Sequence, residues 1–173
     1  RFPCMRTDTS LAYTMTTINT ARRAFFRGRA VGITHHVPWA VDAFEDVCSR
    51  CDACIQACEE AILTAGDGGF PTVDFRRGAC TFCGACATAC QDGALDTQRA
   101  TPWALVIAIG GDCLSANGIT CRACGDACDT RAIRFQLQTA GRATPRLDPS
   151  LCSGCGSCIA TCPIQVIQIQ EVA

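Results

Sequence analysis

Sixteen of the 17 cysteines in this chain fall into four runs of four. Three runs share the spacing C-x2-C-x2-C-x3-C, and the other run has seven residues between its first two cysteines. This spacing is typical of bacterial iron–sulfur proteins, in which thiolates bind the irons of a [4Fe–4S] cluster. Four runs of four cysteines therefore predict four [4Fe–4S] clusters. The runs are Cys48, Cys51, Cys54 and Cys58; Cys80, Cys83, Cys86 and Cys90; Cys113, Cys121, Cys124 and Cys128; Cys152, Cys155, Cys158 and Cys162.

The fourth cysteine of each run is expected to bind a different cluster from the first three. In two-cluster ferredoxins it ligates the neighbouring cluster. Small residues between the cysteines, such as Gly84, Ala85 and Gly154, are expected to let the backbone close around each cluster. The predicted ligand sets are Cys48, Cys51, Cys54 and Cys90 for cluster 1; Cys80, Cys83, Cys86 and Cys58 for cluster 2; Cys113, Cys121, Cys124 and Cys162 for cluster 3; Cys152, Cys155, Cys158 and Cys128 for cluster 4.

Two other interpretations of the cysteines fit less well. A disulfide scaffold is typical of small secreted proteins, but the cysteine count is odd and no signal peptide is evident. Structural zinc sites usually combine two C-x2-C pairs across a longer insertion. Three cysteines in close succession would crowd one tetrahedral ion, so clusters remain the favoured interpretation.

The composition predicts a core that depends on its cofactors. Only 6% of the 173 residues are aromatic, and modules of about 50 to 60 residues are marginally stable without staples. Folding is therefore expected to be coupled to cluster insertion. The formal charge of −1 omits the clusters, and with them the protein carries about −9. An acidic protein of this kind argues against a nucleic-acid partner.

Internal repetition predicts an α+β fold with two tandem bacterial 2[4Fe–4S] ferredoxin-like modules, at 45–99 and 100–173. An apolar run at 101–109 is far too short to span a membrane, and we interpret it as a buried strand or connector with Trp103 in the core rather than as a partner-binding patch. In the modules, turn residues separate short apolar segments. The predicted strands cover 61–63, 70–75, 132–137, 145–147 and 166–172, with turns at 66–69 and at Gly141.

Residues 1–44 contain no iron–sulfur spacing and are expected to form a partly flexible arm. Met15 is an alternative start, which would make residues 1–14 and Cys4 extraneous. The basic stretch at 21–27 resembles a twin-arginine export signal. However, charged residues and two histidines in the segment that follows interrupt the apolar region that such a signal needs. A solvated basic arm and a partner-docking segment both remain open. The docking hypothesis rests on Arg22, Arg23, Phe25, Phe26, Arg27 and Arg29.

No pattern in the sequence indicates a substrate site. His35 and His36 are interpreted as loop residues, because the thiolates already complete all four clusters. The chain contains no recognisable nucleophile with a base, phosphate-binding loop or dinucleotide fingerprint. The sequence therefore predicts an electron-transfer or accessory protein rather than an enzyme.

The order of these features resembles the ferredoxin-type accessory proteins of bacterial periplasmic nitrate reductase systems, over about residues 19–170. The resemblance is carried by the basic arm, by Val37-Pro38-Trp39, by the first cysteine run and by Cys113-x7-Cys121 after Ile109-Gly110. It implies a cytoplasmic protein without a membrane span that binds the precursor of the nitrate reductase catalytic subunit. It also implies help with cofactor assembly or reductive activation before export. Redox partner proteins are expected from the predicted electron-transfer chemistry of the clusters.

Some residues depart from the pattern of bacterial runs. A proline follows the fourth cysteine only at Pro163, while Glu59, Gln91 and Asp129 occupy the other three positions. Acidic residues beside the cysteines are expected to lower the reduction potentials, since negative charge disfavours reduction.

Two function classes follow. The first is a maturation factor that exchanges single electrons with a client held by the arm, or that donates iron or sulfide to it. The second is a free ferredoxin or a four-cluster electron-transfer subunit of a molybdenum oxidoreductase.

Overall fold

Three small antiparallel sheets, each of two strands, organise the parts of the chain that the structure describes. The computed structural model describes residues 37–139 and 142–171. The strands in these ranges are β1 Leu63–Ala65, β2 Pro71–Val73, β3 Leu105–Ile109, β4 Ile133–Leu137, β5 Ala143–Leu147 and β6 Ile167–Glu171. Strand β1 pairs with β2, β3 with β6 and β4 with β5.

Short helical turns alternate with the strands. Four of them begin just after the second cysteine of a run and carry its third cysteine, so they set the direction of that side chain. They are α2 Ala53–Gln56, α3 Ala85–Thr88, α4 Ala123–Asp126 and α5 Ser157–Thr161, and an earlier turn, α1, covers Phe44–Val47. With strands of three to five residues, the described chain is a mixed helix and strand structure.

Left-handed backbone conformations recur at matching positions of the cysteine loops. In the three evenly spaced runs, the residues before and after the second cysteine have positive φ; they are Arg50 and Asp52, Phe82 and Gly84, and Gly154 and Gly156. A third such residue follows each fourth cysteine by three positions: Ala61, Gly93, Arg131 and Gln165. Non-glycine residues rarely adopt this conformation. The cysteine loops therefore keep one backbone path even where the small residues expected there are absent.

The first hairpin is shorter than the sequence predicted. Leu63 pairs with Val73 and Ala65 with Pro71, and a 3-10 turn at Asp67–Gly69 joins the strands. The predicted strand at 61–63 begins instead at Leu63, because Ala61 has a φ of 50° and cannot extend. The return strand at 70–75 is reduced to Pro71–Val73.

The later strands agree more closely with the prediction. Ile133 pairs with Leu147 in the β4–β5 hairpin, and the apolar run at 101–109 supplies β3, whose Leu105 pairs with Glu171 of β6. Leu105 and Ile107 are buried. The predicted break at Gly141 lies outside the described residues.

Trp103 is half-buried rather than enclosed in the core. Its indole Nε1 donates to the Ser153 carbonyl oxygen over 3.0 Å. Its ring meets Phe75 and Phe82 edge-on, at centroid distances of 5.6 and 5.7 Å. Trp103 therefore packs against the core from its edge and connects segments that are distant in sequence.

The segment before the first cysteine run belongs to the core. Val37, Trp39 and Phe44 are buried, and Ala40 forms an antiparallel bridge with Leu95. These residues fall within the predicted 1–44 arm, and sequence reasoning did not anticipate their burial. The rest of the arm lies outside the described residues.

The described residues belong to one compact unit. Both predicted modules contribute to it, and their boundaries stay predictions. Within the ranges 37–139 and 142–171, no helix has the length and apolar character needed to cross a membrane.

Candidate metal centres

Four cavities in the described chain are each lined by four cysteines, and we name them sites 1 to 4. Their volumes, which include space open to solvent, range from about 310 to about 360 Å³. Site 1 is lined by Cys48, Cys51, Cys54 and Cys90; site 2 by Cys58, Cys80, Cys83 and Cys86; site 3 by Cys113, Cys121, Cys124 and Cys162; site 4 by Cys128, Cys152, Cys155 and Cys158.

Each site combines three cysteines of one run with the last cysteine of another. The structure thus gathers around each cavity the same four residues that the sequence analysis grouped as a ligand set. Cysteines that lie around a cavity are not thereby bound to iron, so cluster binding by these sets stays a prediction.

The donor chemistry of the sites fits a [4Fe–4S] cluster. Such a cluster takes one thiolate at each of four irons, so its ligands surround a volume rather than a point. Among the residues described, no three His, Cys, Asp or Glu side chains gather closely enough to bind a single metal ion. The cysteines instead stand around the cavities, as cluster ligands would.

Burial raises the pKa of several of these thiols. The pKa values of Cys54, Cys80, Cys86 and Cys124 rise from 9.0 to about 11, first because burial penalises the thiolate and then because neighbouring thiols repel its charge. The pKa of Cys158 rises to about 12 for the same reasons. Iron binds the thiolate form, so filling the sites must release these protons.

The pKa of Cys128 in site 4 is lowered instead. Burial opposes ionisation, but hydrogen bonds from the Thr130 side chain and from the backbone N–H groups of Ile133, Ala132 and Thr130 lower its pKa. The Thr130 Oγ1 lies 3.6 Å from its sulfur. Donors of this kind also stabilise the negatively charged sulfur of a bound cluster.

Sites 1 and 3 differ in the character of their walls. Site 1 is lined by apolar residues such as Phe44 and Leu95 and also by the polar residues Ser49, Arg50, Asp52 and Asp92. The Ser49 hydroxyl donates to Asp92. The non-cysteine walls of site 3 are apolar and include Leu114, Phe135, Val166 and Ile167. Charge and solvent exposure tune cluster potentials, so these two sites are expected to differ in reduction potential.

A hydrogen-bonded loop positions the first cysteine of site 3 despite its unusual spacing. The Asn117 Nδ2 donates to the carbonyl oxygens of Gly111 and Cys113, each over 2.9 Å. The buried Ser115 hydroxyl donates to the Ala143 carbonyl oxygen over 2.5 Å. This loop keeps Cys113 buried.

Two residues of site 2 were missed by sequence reasoning. Pro38 and Trp39 line its cavity although they precede the first cysteine run. The signal that could have identified them is the apolar triplet Val37-Pro38-Trp39 directly after a polar stretch.

Comparisons with known proteins agree with this geometry. The 4Fe-4S dicluster domain family matches residues 47–94 and 119–166. Ferredoxin-type protein NapF of Escherichia coli K12 is 40% identical over 154 residues, covering 87% of this chain and 94% of the relative. Ferredoxin-type protein NapF of Haemophilus influenzae is 41% identical over 174 aligned positions, covering 91% and 98%. The chain belongs to the ferredoxin-type NapF family.

Membership of the NapF family, with two dicluster domains, identifies a 4Fe–4S ferredoxin-type protein. Iron–sulfur proteins of this type are generally electron carriers rather than enzymes. Cys113 precedes the second matched segment, so its place in a ligand set rests on the cavity and loop described above.

The other residues to which sequence reasoning drew attention lie outside the described part of this NapF-family chain. They include the six proposed docking residues from Arg22 to Arg29, and also Cys4, His35 and His36. Their roles stay predictions.

Proposed function

We propose that this NapF-family protein carries four [4Fe–4S] clusters, held by the crossed cysteine sets of sites 1 to 4. The observation that supports this most directly is that each cavity is lined by three cysteines of one run and one of another. A bound [4Fe–4S] cluster supplies one-electron exchange. About sixteen irons and about sixteen sulfides per chain are therefore expected.

We further propose that the protein acts in the cytoplasm on the precursor of the periplasmic nitrate reductase catalytic subunit. There it would assist cofactor assembly or reductive activation before export. The support is the resemblance of the arm, the cysteine runs and the Cys113 spacing to the accessory proteins of those systems. The arm would dock the client, with Arg22, Arg23, Arg27 and Arg29 supplying charge and with Phe25 and Phe26 supplying apolar anchors.

A second candidate function is a free electron carrier or a permanent electron-transfer subunit of a molybdenum oxidoreductase. The four cysteine-lined cavities in one compact unit support this candidate and the first one equally. The two candidates differ in the state of the partner, which is a transient precursor in one case and a mature enzyme in the other.

Affinity purification tests the choice. The tagged full chain is isolated anaerobically from cytoplasm, and the proteins that accompany it are identified by mass spectrometry, including whether an export signal is still attached. A nitrate reductase precursor with its signal uncleaved is the expected result. Mature enzyme in fixed stoichiometry, or several unrelated reductases, would replace the maturation proposal with the second candidate.

A matched pair of variants tests the arm. Replacing Arg22, Arg23, Arg27 and Arg29 by alanine should reduce precursor capture while iron content stays unchanged, because none of these residues belongs to a proposed ligand set. The control replaces Arg76, Arg131, Arg134 and Arg146, which are exposed, and removes the same charge. Equal loss of capture in both variants would show that net charge, rather than the arm, holds the partner.

A further inference from the structure

Three electrostatic interactions between thiols connect one site to the next. Cys54 of site 1 interacts with Cys86 of site 2, and Cys158 of site 4 interacts with Cys124 of site 3. Between these pairs, Cys80 of site 2 interacts with Cys155 of site 4. Each interaction places thiols of two different sites near one another.

A backbone hydrogen bond strengthens the middle connection. The N–H of Cys80 donates to the Cys155 carbonyl oxygen over 2.8 Å. Both residues are cysteines of the predicted ligand sets, one in each half of the chain. The bond thus ties a wall of site 2 directly to a wall of site 4.

Tight packing holds this contact in place. A Cβ added at Gly156 would lie 1.9 Å from Cδ1 of Phe75, and one added at Gly154 would lie 2.7 Å from the Leu105 carbonyl oxygen. Phe75 is buried and packs edge-on against Trp103. The second half therefore presents Gly156 where the first half inserts the ring of Phe75, and any side chain at Gly156 would force the two apart.

The helical turns make the outer connections in the same way in both halves. Turn α2 carries Cys54 and packs against α3, which carries Cys86; turn α4 carries Cys124 and packs against α5, which carries Cys158. Sites 1 and 2 are thus neighbours, as are sites 3 and 4.

We propose that the four sites form a single line in the order site 1, site 2, site 4, site 3, joined at its centre by the Cys80–Cys155 backbone contact. Sites 2 and 4 are the inner pair, and sites 1 and 3 are the ends. This order departs from the order of the runs along the chain. It rests on the proposed function for its cluster content.

The order matters because it decides which sites can exchange electrons. An electron passed between neighbours leaves one site oxidised and the other reduced, with no bond formed and no proton required. The two ends also differ, since site 1 has charged residues among its lining and the exposed Cys51, whereas the non-cysteine lining of site 3 is apolar. Each end therefore offers a redox partner a different surface.

Two paired variants of the full chain test the order. Cys51→Ala with Cys121→Ala removes the end sites and retains sites 2 and 4. Cys83→Ala with Cys155→Ala removes the inner sites and retains sites 1 and 3. After anaerobic purification and reduction with dithionite, electron paramagnetic resonance is expected to show spin–spin broadening and fast relaxation for the first variant, and two isolated signals for the second.

The outcomes distinguish failure of the proposed order from failure of the four-cluster proposal on which it rests. Iron and sulfide analysis of the wild-type protein comes first, and a value well below about sixteen irons per chain would reject the four-cluster function. With full clusters in the wild type and about eight irons in each variant, broadening in the inner-site deletion, or isolated signals in the end-site deletion, would overturn the order.

A second experiment leaves every cysteine in place. Gly156→Ala should displace Phe75, weaken the interaction between sites 2 and 4, and increase hydrogen exchange at the Cys80 amide. The control is Gly111→Ala, since no atom lies within 4 Å of its added Cβ. An unchanged spectrum and unchanged exchange in Gly156→Ala would contradict the central contact.

Wild-type protein alone can also refute the proposal if the variants do not fold. The amide of Cys80 should exchange much more slowly than that of an unstructured peptide, because its proton is bonded to Cys155. Exchange at the peptide rate in the cluster-loaded protein would remove the contact on which the order depends.

Discussion

The two halves of the described chain build the same pair of cysteine sites on different amounts of β structure. In the second half, β3 pairs with β6 and β4 with β5 over five residues each. In the first half, the hairpin β1–β2 has three pairs, and the counterpart of the β3–β6 sheet is the single bridge Ala40–Leu95. The difference shows that long strands are not needed to bring four cysteines around a cavity.

Buried aromatic side chains accompany the shorter sheets of the first half. Trp39, Phe44 and Phe75 are buried there, and Trp39 meets Phe82 edge-on at a centroid distance of 6.4 Å. Burial of large rings contributes more free energy per residue than a short hairpin. We infer that the stability of the first half depends mainly on its side-chain core, and that the stability of the second half depends more on its hydrogen-bonded strand pairs.

The largest expected effect concerns a cysteine that is shared across runs. Cys58 belongs to the first run but lines site 2, so Cys58→Ala should lose the site 2 cluster and leave site 1 filled. Iron analysis with per-cluster electron paramagnetic resonance measures this. Cys4→Ala is the control, because Cys4 belongs to none of the four runs, and its iron content should match the wild type. Loss of site 1 instead would reject the crossed sets.

The next largest effect is expected when Trp39 is replaced by alanine. Trp39 is 8% exposed, it lines site 2, and its backbone N–H donates to the Pro102 carbonyl oxygen over 2.6 Å. Trp39→Ala should destabilise the cluster-loaded protein by about 3–5 kcal/mol, and thermal unfolding under anaerobic conditions measures this.

The comparison for that variant is Trp103→Ala. Trp103 is only half-buried, so its replacement should cost less. If Trp103→Ala proves the more damaging change, the contrast drawn between the two halves is wrong.

The pH dependence of cluster insertion should be similar in the two halves, because both contain thiols of raised pKa. Of the thiols in the described chain whose pKa shifts, only Cys128 has a lowered pKa. The raised pKa values are about 11 for Cys54, Cys80 and Cys86 in the first half, and about 11 for Cys124 and about 12 for Cys158 in the second half. A raised pKa keeps a thiol protonated, so ligation must expel more protons as pH falls. Cluster insertion should therefore improve as pH rises in both halves.

Anaerobic reconstitution of the cluster-free chain at about pH 7 and about pH 9 tests this prediction. Two variants isolate the halves: Cys51→Ala with Cys83→Ala leaves only sites 3 and 4, and Cys121→Ala with Cys155→Ala leaves only sites 1 and 2. Insertion that does not improve between these two pH values in either variant would show that the protonation of these thiols does not limit it.

Sequence reasoning recovered what depends on covalent spacing and missed what depends on packing. The runs predicted which three cysteines share a cavity, because closely spaced ligands must lie on one loop, and the pattern of two-cluster ferredoxins predicted the fourth. Sequence reasoning placed β4 within one residue of its observed start at Ile133, since apolar and polar residues alternate along that segment. It missed the burial of Val37 and Trp39, because a short apolar triplet beside a basic arm carries no periodicity.

The left-handed residues were also beyond sequence reasoning. Arg50 and Phe82 adopt a conformation that their residue types disfavour, so only the surrounding loop can impose it. The same effect moved the start of β1, since the positive φ of Ala61 follows from the turn after Cys58.

A moderate effect is expected at the loop that carries Cys113. Asn117→Ala removes two side-chain hydrogen bonds and should cost about 1–2 kcal/mol, with faster loss of the site 3 cluster. Asn117→Asp keeps the shape but removes both donors, so it should behave like Asn117→Ala. Iron release to a chelator, followed over time, measures both variants. Retention of site 3 in both would mean that Ser115 and the backbone alone position Cys113.

The smallest effect is expected where the two halves use different residues for one backbone conformation. Asp52 and Gly156 both follow the second cysteine of a run, and both have positive φ. At Asp52, glycine would relieve a left-handed conformation that costs roughly 1 kcal/mol but would add about as much entropy to the unfolded chain. Asp52→Gly should therefore change stability by less than about 0.5 kcal/mol, as measured by anaerobic thermal unfolding.

The reverse change is not equivalent. Gly156→Asp would meet both the unfavourable φ and the ring of Phe75, so it should be far more damaging than Asp52→Gly. If the two substitutions had similarly small effects, the ring of Phe75 would impose no requirement for glycine at position 156. If Gly156→Asp is much worse, the requirement comes from the approach of Phe75, and the contact between the halves rather than the cysteine loop has selected glycine there.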